Sequence, residues 1–162
     1  MMKSWSMAAT AALLSIACVP GAVQAEQPTL AGSWHLVSYE VESKDTGGKI
    51  AAMGEHPSGR VIFTGDHRVA FVLTGDGRKA GKSDADKAAL LNSLVAYTGI
   101  ERTGDNQWCT DVEAAWNPEW VGTTQCREFR VAGGRLEVLT PWRQMPNWPG
   151  MTRSIITFER DR

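Results

Sequence analysis

From position 30 onward, apolar and polar residues alternate with a period of two over most of the chain, as they do in strands that bury one face. The alternating runs are residues 33–42, 59–64, 67–74, 97–102, 107–116, 123–131, 135–140 and 152–160. Gly65-Asp66, Gly104-Asp105-Asn106 and Gly133-Gly134 punctuate them, and these residue types supply the positive φ that tight antiparallel hairpins need. Strands joined in sequence by short turns predict an up-and-down meander. The expected fold is therefore all-β, an antiparallel barrel of eight or nine strands. Closure removes the sheet edges that invite aggregation and leaves a lumen that holds either packed side chains or one small ligand.

One segment breaks the period. Ser83 and Asp86 are spaced for a capping box, and Leu90, Leu91, Leu94 and Val95 recur at helical spacing, which predicts one inserted helix over 84–96. Its stripe would pack on the barrel wall or act as a lid. Residues 43–58 are rich in Gly and polar groups without periodicity and read as a surface loop beside the barrel mouth.

The first 25 residues follow a third pattern. Lys3 precedes an apolar run over 5–19, Pro20-Gly21 breaks it, and Val23 and Ala25 place small residues at the −3 and −1 positions of a cleavage site. This predicts a secretory signal peptide over 1–25 and a single barrel domain over 26–162, exported to the periplasm or secreted. The apolar run is shorter than the roughly 20 residues a membrane-spanning helix needs, so no transmembrane span is expected. Leu14-Ser15-Ile16-Ala17-Cys18 loosely matches a lipoprotein box, which leaves lipidation at Cys18 as the alternative processing.

Composition narrows the function classes. Lys and Arg number 17 against 18 Asp and Glu, and the basic residues are scattered singly, so the charge stripe that nucleic acid binding requires is missing. His35, His56 and His67 share no paired spacing with one another or with the cysteines, and no metal or other cofactor is expected. Gly81-Lys82-Ser83 stands where a phosphate loop could, but its upstream Gly position is Asp76. Asp111 and Glu113 share a strand face as glycosidase acids must, yet that face is the predicted exterior. No Gly-x-Ser-x-Gly elbow is present. No catalytic residue is assigned.

Gly32-Ser33-Trp34 at the start of the first strand resembles the Gly-x-Trp signature of lipocalins. Residues 30–39, Pro57-Ser58-Gly59 before Arg60-Val61-Ile62-Phe63, Tyr97-Thr98-Gly99, and Asn117-Pro118-Glu119-Trp120-Val121-Gly122-Thr123 leading to Arg127-Glu128-Phe129 resemble the small lipocalin-like domain family of bacterial and fungal proteins. The resemblance covers nearly all of residues 30–160 and implies the barrel, while the family carries no agreed activity.

Barrel geometry assigns further roles. The last strand runs antiparallel to the first, so Arg160, on one face with Ile156 and Phe158, should lie over Trp34 and close the barrel base by a cation–π contact. Arg127 shares the inward face of its strand with Phe129 and Val131, and an inward charge needs a partner. Alternation in the first strand groups Trp34, Leu36, Ser38 and Glu40, so Arg127 either pairs internally with Glu40 or anchors an anionic ligand head. Cys109 and Cys126 fall on the outer face of adjacent strands, and export makes a cross-strand disulfide the natural expectation.

Of the seven Trp, Trp116, Trp120, Trp142 and Trp148 lie at strand ends or in loops, and the 141–151 segment with its Pro, Trp and Met suits the rim of an apolar pocket or a plug. The resulting expectation is a protein that binds a small apolar or amphipathic molecule, with or without an anionic head, in its lumen through Arg127, Glu40, Tyr97 and Phe129, with Trp120, Trp142 and Trp148 at the rim. Two alternatives stay open: an isomerase, cyclase or hydrolase working in the lumen with Arg127 and inward acids, and a structural envelope protein with a plugged barrel.

Overall fold

A computed structural model describes residues 29–145 and 148–162. The elements in chain order are β1 (Gly32–Ser43), β2 (Lys49–Ala51), β3 (Ser58–Phe63), β4 (Arg68–Thr74), α1 (Asp84–Asn92), β5 (Leu94–Thr103), β6 (Gln107–Ala115), β7 (Thr124–Ala132), β8 (Arg135–Leu139), β9 (Arg143–Gln144) and β10 (Met151–Arg160). Neighbours pair in the order β1, β3, β4, β5, β6, β7, β8, β10, and β10 returns to β1, which closes an antiparallel barrel. The short strands β2 and β9 are appended to β1 and β10 outside that ring. Both signals assigned to the leader, the Ala25 cleavage site and Cys18, lie outside the described residues. No described helix is long and apolar enough to cross a membrane.

The two ends of the barrel differ because their connections differ in length. One end carries the tight turns β3–β4, β5–β6 and β7–β8, the last through Gly133 and Gly134 at φ 57° and 78°, a region glycine enters without steric cost. At this end Trp34 is fully buried and donates from Nε1 to the Leu30 carbonyl at 2.8 Å. The Arg160 guanidinium lies 4.0 Å from the Trp34 ring centroid and donates to the carbonyls of Ala31 at 2.8 Å and Thr29 at 2.6 Å. Beside it, Asp161 accepts from Ser33 at 2.6 Å and Arg60 at 2.9 Å, and those hydrogen bonds hold its carboxyl down to about 2. Phe63, Trp108, Leu136 and Phe158 fill the lumen above this seal.

The other end carries every long connection: 44–57, 75–93, 116–123 and 140–150. The inserted helix differs from its expected form. Ser83 and Asp86 do make the capping box, but α1 stops at Asn92 and buries none of its residues. Leu94 and Val95, half of the apparent helical stripe, belong instead to β5, where they pair with Thr74 and Leu73 of β4. The ladder satisfies their backbone groups and buries Tyr97 just beyond them, a larger gain than another helical turn at an exposed site. The 43–58 segment is the expected connection at this end, with β2 folded back on β1.

Cys109 and Cys126 face each other across β6 and β7 and form a disulfide, Cα to Cα 4.0 Å, closing a loop with a sequence separation of 17. In the chain-entropy account a loop of that size stabilises the fold by about 3 kcal/mol.

Replacing Arg160 with Met keeps the stem that packs on Trp34 but removes the charge and both carbonyl contacts. The expected loss is about 2 kcal/mol in denaturant unfolding, with Arg160→Lys recovering only part because it lacks the planar fork. Unchanged midpoints for both variants would mean that the base is closed by aliphatic packing alone.

Candidate functional site

At the end with long connections, the lumen opens into a cavity of about 340 Å³. Phe71 of β4, Tyr97 of β5, Arg127 of β7, Ile156 of β10 and Tyr39 of β1 supply its walls. Trp116, Asn117 and Trp120 from the β6–β7 connection and Arg143, Gln144 and Met145 from the β8–β10 connection form its rim. A second, more open cavity of about 670 Å³ shares Tyr39, Val95 and Met145 with it and runs beneath α1. Trp148 borders that second cavity.

Arg127 is 6 % exposed, so its charge is almost wholly removed from water. It donates from Nη1 to the Cys126 carbonyl at 3.0 Å and lies 5.7 Å from the Trp120 ring centroid. Among the described residues no carboxylate pairs with it. The internal Arg127–Glu40 pair is therefore absent, and the reason is local. β1 carries a bulge at Val37: Leu36 faces Phe158 and Ser38 faces Thr157, one residue on β10 for two on β1. An extra residue reverses the alternation beyond it. Tyr39 and Val41 thus turn inward opposite Ile156 and Ser154, whereas Glu40 turns to the outer face between Ile155 and Ala51. The acid that an enzymatic reading would have used is outside the lumen, and a tyrosine that alternation had placed outside is within it.

Tyr97 is 4 % exposed and stacks on Phe71 with ring centroids 4.9 Å apart. Among the described residues its hydroxyl has no hydrogen-bond partner. Burial pushes the phenol up to about 12, an effect the nearby Arg127 charge partly offsets. The group is thus a neutral donor at any physiological pH. Tyr39, by contrast, is satisfied by Ser154, with 2.8 Å between the two hydroxyls. Trp108 Nε1 and Thr110 Oγ1 are also buried without partners among the described residues, but neither residue lines the cavity. No carboxylate or imidazole lines it either among the described residues.

The remaining expected residues separate. Trp120 lies at the cavity rim, 5.6 Å from Tyr97 and 4.7 Å from Trp116 between ring centroids. Phe129, two residues beyond Arg127, sits one step toward the sealed end and packs against Trp108 at 6.0 Å, away from the cavity. Trp142 lies 4.5 Å from the Arg153 guanidinium, which Glu42 holds at 2.6 Å, so it belongs to an outer-wall cluster and not to the rim. Phe71, Tyr39, Ile156, Trp116 and Met145 are cavity residues that the sequence left unassigned. Trp116 and Met145 had a signal, being apolar residues in polar connections. Tyr39 had none, because a bulge carries no obligatory residue type here.

The state of Tyr97 has a measurable consequence. Its folded value lies above the unfolded value of about 10, so its contribution to stability is complete below pH 10 and is lost as pH rises toward 12. Relative to Tyr97→Phe, wild-type unfolding free energy should be constant up to about pH 10 and then decline by up to about 3 kcal/mol. A difference that stays flat to pH 12 would place the phenol in contact with water.

No curated protein matches this chain. The family model described as a lipocalin-like domain matches residues 31–161, which spans β1 through the end of β10 and includes the Trp34–Arg160 seal and every wall of the cavity. The chain belongs to the lipocalin-like domain family.

Proposed function

We propose that this protein is an exported carrier that takes a small amphipathic molecule with an anionic head into the open half of its barrel. The observation that supports this reading is Arg127: a residue nearly removed from water that holds a backbone carbonyl and, among the described residues, no acid. Desolvating such a charge without a partner costs several kcal/mol, and a ligand oxyanion in the cavity offsets that cost through paired, charge-assisted hydrogen bonds. Apolar and aromatic walls with a few convergent polar groups are the usual make-up of a small-molecule site. Export rests on the Val23-Gln24-Ala25 cleavage site and agrees with the Cys109–Cys126 disulfide, which persists in oxidising compartments.

Native mass spectrometry of the protein recovered from its own host tests the reading. The expected result is a chain that starts at Glu26 with a stoichiometric anionic adduct, and an adduct lost in Arg127→Met. For an added anionic amphiphile such as anilinonaphthalene sulfonate, the same variant should bind on the order of 100-fold more weakly. Equal binding by wild type and Arg127→Met, with the fold intact, would remove the anchor.

A further inference from the structure

The cavity is built for rings more than for chains. Phe71, Tyr97, Trp120 and Trp116 form a continuous series of contacts, stacked at 4.9 Å, tilted at 5.6 Å and edge-on at 4.7 Å between successive centroids. Such a series presents ring faces and ring edges together, and another aromatic ring gains from both, whereas a polymethylene chain gains only from the area it buries. A flexible chain also loses rotational freedom at every bond it fixes, and a rigid ring does not. Met145 closes the same space with a thioether that adapts to an aromatic edge.

Size points the same way. About 340 Å³ is the volume of roughly eleven waters and falls near the lower end of the ~300–1,000 Å³ range of ligand sites. The lumen does not continue downward: Trp34, Trp108 and Phe158 are all fully buried and fill it toward the sealed end. A long acyl chain would have to bend past Val95 and Met145 into the second cavity or leave through the mouth.

The polar groups specify the head. Among the described residues, Arg127 has no acid partner and the Tyr97 hydroxyl, on a residue 4 % exposed, has no partner at all; both residues line the same cavity. Both are donors and both require acceptors. A carboxylate has two oxygens in one plane, enough to meet a guanidinium and a phenol together. Building on the carrier reading above, we infer that the ligand is a compact aromatic carboxylate that enters head first, its carboxylate shared by Arg127 and the Tyr97 hydroxyl and its ring held by Phe71, Trp116 and Trp120. Substituents on the far side of the ring would extend past Val95 and Met145 into the second cavity. Tyr97 is then a specificity-determining residue: it favours a carboxylate over a neutral head.

Titration calorimetry with quenching of tryptophan fluorescence separates this inference from the carrier reading beneath it. The probes are 2-naphthoate, decanoate and 2-naphthamide, each titrated into wild type, Arg127→Met and Tyr97→Phe, with unfolding curves to verify that both variants fold. The expected result is that 2-naphthoate binds at least about 10-fold tighter than decanoate and 2-naphthamide. Tyr97→Phe should weaken 2-naphthoate by on the order of 10-fold and Arg127→Met by on the order of 100-fold. Decanoate binding as tightly as 2-naphthoate, in an Arg127-dependent way, would overturn the aromatic class and leave the anionic carrier standing. Full affinity for 2-naphthoate in Tyr97→Phe would overturn the shared head. Binding of either anion undiminished in Arg127→Met, or binding of neither to wild type, would overturn the inference and the carrier reading together.

Discussion

The pairing of β1 with β10 is the constraint on which the rest of this barrel depends. It closes the sheet, so the ring has no open edge, and it sets which side chains enter the lumen. Below Val37 the register brings Trp34 to Arg160 and Leu36 to Phe158, which seals and packs one half. Above Val37 the single extra residue shifts the phase, and Tyr39 enters where Glu40 would have stood. One bulge thus turns Glu40 to the outer wall, and the Arg127 cation in the cavity has no acid partner among the described residues.

That division has an energetic logic. The sealed half contains the fully buried Trp34, Trp108 and Phe158, and its charges have partners: Arg160 meets two carbonyls and an indole face, and Asp161 meets Ser33 and Arg60. The open half contains a charge that has no acid, and a hydroxyl that has no partner, among the described residues. Proteins tolerate such groups where stability from elsewhere offsets them and where a ligand completes them. Here the disulfide between β6 and β7 is immediately adjacent: Cys126 precedes Arg127 and its carbonyl accepts a hydrogen bond from the guanidinium. The covalent link therefore steadies the strand that carries the uncompensated charge.

All eight barrel strands were legible in the sequence because period-two alternation and Gly-rich turns are local signals, and closure follows from the number and order of strands. The Trp34–Arg160 contact and the Cys109–Cys126 bond followed too, since each depends only on antiparallel neighbours with regular alternation between them. What the sequence hid was irregular. The β1 bulge leaves no compositional mark, and it misplaced Glu40 and concealed Tyr39. The helix over 84–96 was overextended because Leu94 and Val95 satisfy both periods, and only pairing with β4 decides between them. Phe129 was assigned to the ligand from its face alone. Face says which side chains enter the lumen but not how deep they lie, and depth separates packed core from cavity. Trp142 failed as a rim residue for a different reason: Arg153 and Glu42, far away in sequence, give its ring a better partner on the outer wall.

The central claim is that Arg127 is a buried cation without an internal counter-charge, and the unfolding free energy of Arg127→Met against wild type, both freed of ligand by denaturing extraction and refolded, tests it most directly. Methionine fills a similar volume without charge. If the guanidinium has no acid partner in the empty barrel, the variant should match the wild type within about 1 kcal/mol or exceed it, since removal of an uncompensated charge offsets the lost contact with Trp120. A loss of about 3–5 kcal/mol, the size expected when one member of a buried ion pair is removed, would mean that the protein neutralises Arg127 itself and would contradict the account.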